Sequence, residues 1–115
     1  MWNFVFMNEI KAIIKTLMDF RDARDWKQFH NPKDLALALS IEAAELNELF
    51  LWKQSQDADV EKVKDELADV FTYAFFLAEN LNLDVTQIIK DKLAKSALKY
   101  PVAKAKGTMK KYDEL

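Results

Sequence analysis

The chain has 115 residues, half of them hydrophobic, with a net charge of -2, one glycine, two prolines and no cysteine. This composition excludes a disordered chain and a thiolate metal site, and it lacks the basic excess of proteins that bind nucleic-acid backbones. Because sheets and tight turns need more glycine and proline, it favours an all-α fold. No uncharged run approaches the roughly 18 residues of a membrane span, and the start, MWNFVFMNEIK, lacks the features of a signal peptide, so we expect a cytoplasmic protein.

The first helix is predicted from about Asn8 to Trp26. Its apolar residues recur at steps of three and four, which is the spacing of one helix face: Ile10, Ile13, Ile14, Leu17 and Phe20.

The second helix has a clear start signal. Asn31 suits the N-cap, Pro32 suits the first helical position, and Asp34 lies where the helix dipole favours an acid. The apolar pattern predicts that this helix continues to about Lys53.

After the polar stretch QSQDAD, a third helix is predicted from Val60 to about Leu81. Its second half, VFTYAFFLA, is apolar nearly all round, and such a helix is usually buried on most sides. One small domain can hardly cover it, so we expect helix contacts between subunits.

A fourth helix is predicted over Val85–Lys99, with Asp84 as N-cap, and the pair Tyr100-Pro101 ends it because proline disfavours helix in the preceding residue. Residues 104–115 are polar and rich in lysine, and we expect a mobile tail. Residues 1–103 then form a single domain.

Two pairs of acids share a three-residue step: Glu42 with Glu45, and Glu66 with Asp69. Residues three apart lie on the same helix face. The midpoint of residues 45 and 66 coincides with that of residues 42 and 69 and falls inside the polar stretch. An antiparallel hairpin of the two helices would therefore bring all four acids to one level.

Four carboxylates at one level repel each other unless a cation lies between them. Oxygen ligands suit Mg²⁺ or Mn²⁺. The alternative is two solvated acidic faces, paired with Lys62 and Lys64. The role of Glu48, three residues after Glu45, is open: it could be a further ligand, a supporting group or plain surface.

Aromatic and basic residues accompany the acids. Trp52 and Tyr73 each lie two turns beyond an acid on the same face, where they could either pack in the core or stack on a nucleotide base. Lys92, Lys95 and Lys99 form one stripe on the fourth helix, which is either a solvated face or a clamp on phosphate groups.

At these residues the chain resembles the MazG-type all-α nucleoside triphosphate pyrophosphohydrolases. The pattern E-x-x-E, twenty residues, then E-x-x-D carries the resemblance, together with RDWKQFH (24–30), LFLWK (49–53) and KYP (99–101). The likeness is greatest to the small branch that includes the dCTP pyrophosphatases.

The resemblance implies a four-helix bundle that assembles as a dimer or a dimer of dimers. It implies Mg²⁺-dependent hydrolysis of (d)NTPs to a monophosphate and pyrophosphate, with dCTP or modified pyrimidine nucleotides as expected substrates. The implied metal ligands are Glu42, Glu45, Glu66 and Asp69, and Glu42 or Glu45 would also orient the attacking water. The implied substrate-binding residues are Trp26, His30, Trp52, Tyr73, Lys92, Lys95 and Tyr100. Where relatives commonly carry Asn, this chain has Ser96, which could shift base preference.

Two other functions are alternatives to this one. A di-iron carboxylate bundle needs two Glu-x-x-His pairs. The residue three positions before the single histidine, His30, is Lys27 and not a glutamate, which disfavours this function. A non-catalytic helical dimerisation module would carry the same acids as surface charge.

Overall fold

The structure, a computed structural model, describes residues 9–115, and these residues contain helices and turns but no strand. This confirms the all-α prediction. The elements are α1 (Glu9–Ala23), α2 (Pro32–Glu48), α3 (Val60–Asn80), α4 (Val85–Lys99) and α5 (Val102–Ala105), with 3-10 turns at Lys27–Phe29, Ser55–Asp57 and Tyr112–Glu114. The chain divides into two compact units, one that ends at Leu83 and one that comprises Asp84–Leu115. The predicted start of the first helix at Asn8 lies outside the described residues.

Side-chain caps fix the starts of three helices. The carboxamide oxygen of Asn31 accepts a hydrogen bond from the Asp34 amide at 2.9 Å, and the Asp84 carboxylate accepts one from the Gln87 amide at 2.9 Å. Asp59 caps α3 in the same way. The predicted starts of the second, third and fourth helices are therefore confirmed.

The first helix ends earlier than predicted, at Ala23, whereas the third ends at Asn80, within one residue of its predicted end. After α1, Asp25 has a φ of 55°, and the Trp26 amide donates to the Arg21 carbonyl at 3.1 Å. After α3, Asn82 has a φ of 57°, and the backbone amide of the next residue donates to the carbonyl five residues before it, as at the end of α1. Both ends are Schellman motifs, in which one left-handed residue closes the helix.

The second helix ends at Glu48, and the predicted end near Lys53 is wrong. From Leu49 to Leu51 the amides donate to carbonyls three residues back, at 3.0–3.2 Å, so the chain tightens into turns. Trp52 then adopts a φ of 61°, which a helix cannot continue.

The core of the first unit lies where α3 packs along α2 and, to a smaller extent, against α1. Among the described residues, Leu35, Phe76 and Ala78 are buried. Leu37, Ile41 and Phe71 remain 54–59% exposed in the single chain. The apolar half of α3 is thus only partly covered by its own chain.

In the second unit, α4 ends at Lys99 with Tyr100 as its C-cap, and Pro101 precedes the short α5. Gly107, in the turn after α5, has a φ of 79°. Part of the predicted mobile tail forms the Tyr112–Glu114 turn, and the domain boundary at residue 103 stays a prediction. Within residues 9–115, no helix has the length and apolar character to span a membrane.

Candidate metal centre and nucleotide site

Three of the four predicted metal ligands meet where α2 packs on α3. Glu42, Glu45 and Glu66 each offer a carboxylate oxygen, and these oxygens all lie within 4.8 Å of one another. At the far end of the same helix pair, the side-chain carboxamide of Asn80 donates to the backbone carbonyl of His30 at 3.2 Å. The end of α3 therefore lies beside the start of α2, which is the antiparallel arrangement that the acid spacing predicts.

Among residues 9–115, no cationic side chain forms a salt bridge with the acids of this centre. Glu42 and Glu66 are half-buried, and the Oε2 atom of each is buried without a hydrogen bond. The salt bridges in the described part of the chain join other residues and none includes these acids. Buried carboxylate oxygens without a donor are costly, so the arrangement favours a bound cation.

Crowding also changes the protonation of the centre. Partial burial, followed by the neighbouring Glu45 and Glu66 carboxylates, raises the pKa of Glu42 to about 7. Partial burial and Glu45 likewise raise the pKa of Glu66. Both shifts mean that burial and the neighbouring carboxylates together make the ionised form of these glutamates unfavourable.

Asp69 lies outside the group of converging oxygens. Its charge is nevertheless close enough to contribute to the raised pKa of both Glu42 and Glu66. Its role as a ligand stays a prediction.

The donor set fits a hard divalent cation. It consists of carboxylate oxygens, two of which are buried and lack hydrogen bonds. Mg²⁺ and Mn²⁺ bind such oxygen ligands and complete their coordination with water. Glu42, Glu45 and Glu66 can therefore hold a metal ion of this class.

Trp52 has an unusual conformation in the turns that follow α2. Its side chain is 94% exposed, which excludes the core-packing interpretation within this chain, and its backbone is left-handed. It lines a pocket of about 360 Å³ together with Asn47, Glu48, Phe50 and Leu51. Glu48, whose role the sequence leaves open, borders this pocket.

His30 and Tyr73 both pack against Phe76. The ring centroids are 4.8 Å apart for His30 and 6.0 Å apart for Tyr73. Burial and, to a smaller extent, the charge of Arg21 lower the pKa of His30, which keeps it neutral at physiological pH. The structure therefore brings two of the predicted nucleotide-binding residues onto one buried phenylalanine.

Sequence patterns do not single out Phe76, which packs against His30, or Arg21, whose charge acts on His30. In the sequence, nothing distinguishes Phe76 from the other residues of the apolar run VFTYAFFLA. Arg21 lies on the apolar face of α1, and its side chain is only 11% exposed. A charged residue on an apolar helix face is the one sequence feature that could have marked it.

The remaining predicted substrate-binding residues have other surroundings within their own units. Trp26 packs edge-on against Phe20, with ring centroids 5.8 Å apart. Lys92, Lys95 and Tyr100 lie in the second unit, where both lysines are exposed on α4.

The chain is similar to proteins of known activity. The dCTP pyrophosphatase 1 of Bos taurus is 33% identical over an alignment that covers 97% of this chain and 72% of that protein. The Mus musculus protein of the same name is 35% identical, over 84% of this chain and 62% of its own length. The chain thus spans about two thirds of the curated relatives that it matches.

A solved structure of a pyrophosphatase from Archaeoglobus fulgidus superposes with a TM-score of 0.73. It is 37% identical and covers 80% of this chain and 92% of its own. The model of the MazG-like family matches residues 37–115, which is well over half of the sequence. The chain therefore belongs to the MazG-like family.

Proposed function

We propose that this protein is a nucleoside triphosphate pyrophosphatase, which hydrolyses a (d)NTP to the (d)NMP and pyrophosphate with Mg²⁺, or Mn²⁺ as a substitute. The observation that carries the proposal is the group of carboxylates at Glu42, Glu45 and Glu66, which form no salt bridge with any cationic side chain among residues 9–115. The names of the bovine and mouse relatives and of the archaeal pyrophosphatase support this reaction class.

In this proposal Glu42, Glu45, Glu66 and Asp69 hold the metal, and Glu45 also acts on the attacking water. The bound ion would screen the negative charge of the triphosphate and of the transition state. Glu45 is the exposed member of the group and is therefore suited to orient a water molecule and accept its proton. The water oxygen forms a new bond to phosphorus, the bridge between the α- and β-phosphates breaks, and pyrophosphate leaves.

The base and the phosphates would be bound by different residues. Aromatic rings stack on bases, which supports Trp52 as a base-binding residue, with Trp26, His30 and Tyr73 contributing to the pocket. Lys92, Lys95 and Tyr100 would bind the phosphates. We propose dCTP or a modified pyrimidine dNTP as the preferred substrate, because the relatives are named for dCTP.

The test is a panel of dNTPs, including modified pyrimidines, incubated with Mg²⁺ while released pyrophosphate is measured. We expect turnover with a preference for dCTP-like nucleotides. Glu45→Ala should reduce turnover by at least about 100-fold, because it removes the proton acceptor, with helicity by circular dichroism unchanged. The matched control is Glu61→Ala, an exposed acid on α3 that pairs with Lys64. Full activity in Glu45→Ala would overturn the site assignment.

A non-catalytic dimerisation module is the second candidate function. The exposed apolar side chains of Leu37, Ile41 and Phe71 favour it. No turnover of any nucleotide, together with no Mg²⁺-dependent rise in melting temperature, would support this candidate instead.

A further inference from the structure

The aromatic ring of Tyr112 lies against the end of α4 in the second unit. The Lys99 ammonium is 4.8 Å from the centroid of this ring. The Tyr100 ring meets it edge-on, with centroids 6.2 Å apart at an interplanar angle of 88°. A segment near the C-terminus thus contacts both residues at the point where the basic stripe of α4 ends.

Local backbone structure returns the chain to this point. Gly107, the single glycine of the sequence, has a φ of 79°, and a Cβ added there would meet no atom within 4 Å. The requirement for glycine is therefore conformational and not steric. Beyond it, the Thr108 hydroxyl accepts a hydrogen bond from the Lys110 amide at 3.3 Å, and the Tyr112–Glu114 turn follows.

The contact restricts a long, flexible cation. Lys99 lies on the same face of α4 as Lys92 and Lys95. A lysine side chain loses much rotamer freedom when it binds a ligand, and an aromatic face that attracts the ammonium reduces that loss in advance. The geometry would thus prepare Lys99 to meet an anion at the end of the stripe.

We propose that Tyr112 is a positioning residue that holds Lys99 ready for the phosphates of the nucleotide. The inference rests on the proposed function, because it assigns phosphate binding to this stripe. It gives the C-terminal segment a role in substrate affinity rather than in the chemical step.

Two substitutions test the role of the ring. Tyr112→Leu keeps an apolar side chain but removes the π face, and we expect it to raise KM for dCTP about two- to five-fold with kcat unchanged. Tyr112→Phe keeps the face and removes only the hydroxyl, so its KM should match the wild type. Equal KM values for wild type and Tyr112→Leu would overturn the inference, as would an equal rise in both variants.

A double-mutant cycle separates positioning from a general structural effect. In a Lys99→Ala background, Tyr112→Leu should cause no further rise in KM, because the residue through which the ring acts is gone. A full additional rise in that background would show that Tyr112 acts through other contacts and would overturn the proposal.

A spectroscopic readout keeps this inference distinct from the proposed function. The side-chain methylene resonances of Lys99 should show a ring-current shift in the wild type and in Tyr112→Phe, and lose it in Tyr112→Leu. Affinity for inorganic pyrophosphate, measured by calorimetry, should follow the same order. Absence of turnover in the wild type would sink the proposed function, whereas an unchanged shift and affinity in Tyr112→Leu would sink only the role of Tyr112.

Discussion

At the scale of single residues, Glu42 links the stability of the helix pair to pH. A glutamate with the ordinary pKa of 4.5 ionises in the unfolded chain well before Glu42 ionises in the folded one, where its pKa is about 7. Between these values the folded state binds more protons, so a rise in pH favours unfolding. Without metal, the melting temperature should fall from pH 4.5 to 7 and then level off, which a thermal scan in EDTA would measure.

The variant Glu42→Gln tests the origin of this dependence. In EDTA, it should flatten the dependence of the melting temperature on pH and raise the melting temperature at pH 8. Added Mg²⁺ should no longer stabilise the protein. Glu61→Gln, in an exposed acid that pairs with Lys64, is the control and should leave both properties unchanged. The explanation fails if both variants behave alike.

Trp52 combines an exposed ring with a left-handed backbone, two features that separate substitutions can test. Both Trp52→Ala and Trp52→Gly remove the ring, so both should raise KM for nucleotide. Glycine accepts a positive φ freely, so the glycine variant should be more stable than the alanine variant by about 1 kcal/mol in urea unfolding. An unchanged KM in both would remove Trp52 from the nucleotide site.

At the scale of elements, the cap of α2 supports the helix that carries two of the acids. Asn31→Ala removes the acceptor of the Asp34 amide and should lower stability by about 1 kcal/mol, or by about 4–8 °C in melting temperature. Asn31→Ser keeps an acceptor and should stay close to the wild type. Equal losses in the two variants would show that the cap is not the cause.

Helix starts could be predicted because their signals are local. Asn31 and Asp84 each bond an amide three residues ahead, which the sequence makes visible. The ends could not be placed as well, because the usual stop signal is glycine and the left-handed positions here are Asp25, Trp52 and Asn82. Only the backbone conformation reveals them.

The candidate site was partly predictable for a similar reason. Helical step and hairpin symmetry are backbone properties, and they brought Glu42, Glu45 and Glu66 to one level as expected. The position of the Asp69 oxygens and the exposure of Trp52 depend on side-chain rotamers and on the turn after α2. Spacing in the sequence does not determine either.

At the scale of the whole molecule, exposed apolar side chains predict self-association. Leu37 and Ile41 are one turn apart on α2, and Phe71 lies on α3. Burying one such side chain contributes roughly 1.5–3 kcal/mol, so light scattering should find a dimer or tetramer. Phe71→Glu should dissociate it, while Lys62→Glu on the same helix should not. A monomeric wild type at micromolar concentration would contradict this prediction.

The bond between Asn80 and the His30 carbonyl has a consequence for how the two long helices find their register. In the described chain, every other side-chain hydrogen bond joins residues at most four positions apart. Apolar stripes repeat with each turn, so sliding α3 by one turn, about 5.4 Å, would still match them. The bond from Asn80 and the packing of His30 against Phe76 distinguish the native alignment. An ion bound between the carboxylates would add a further contact that fixes the register of the two helices.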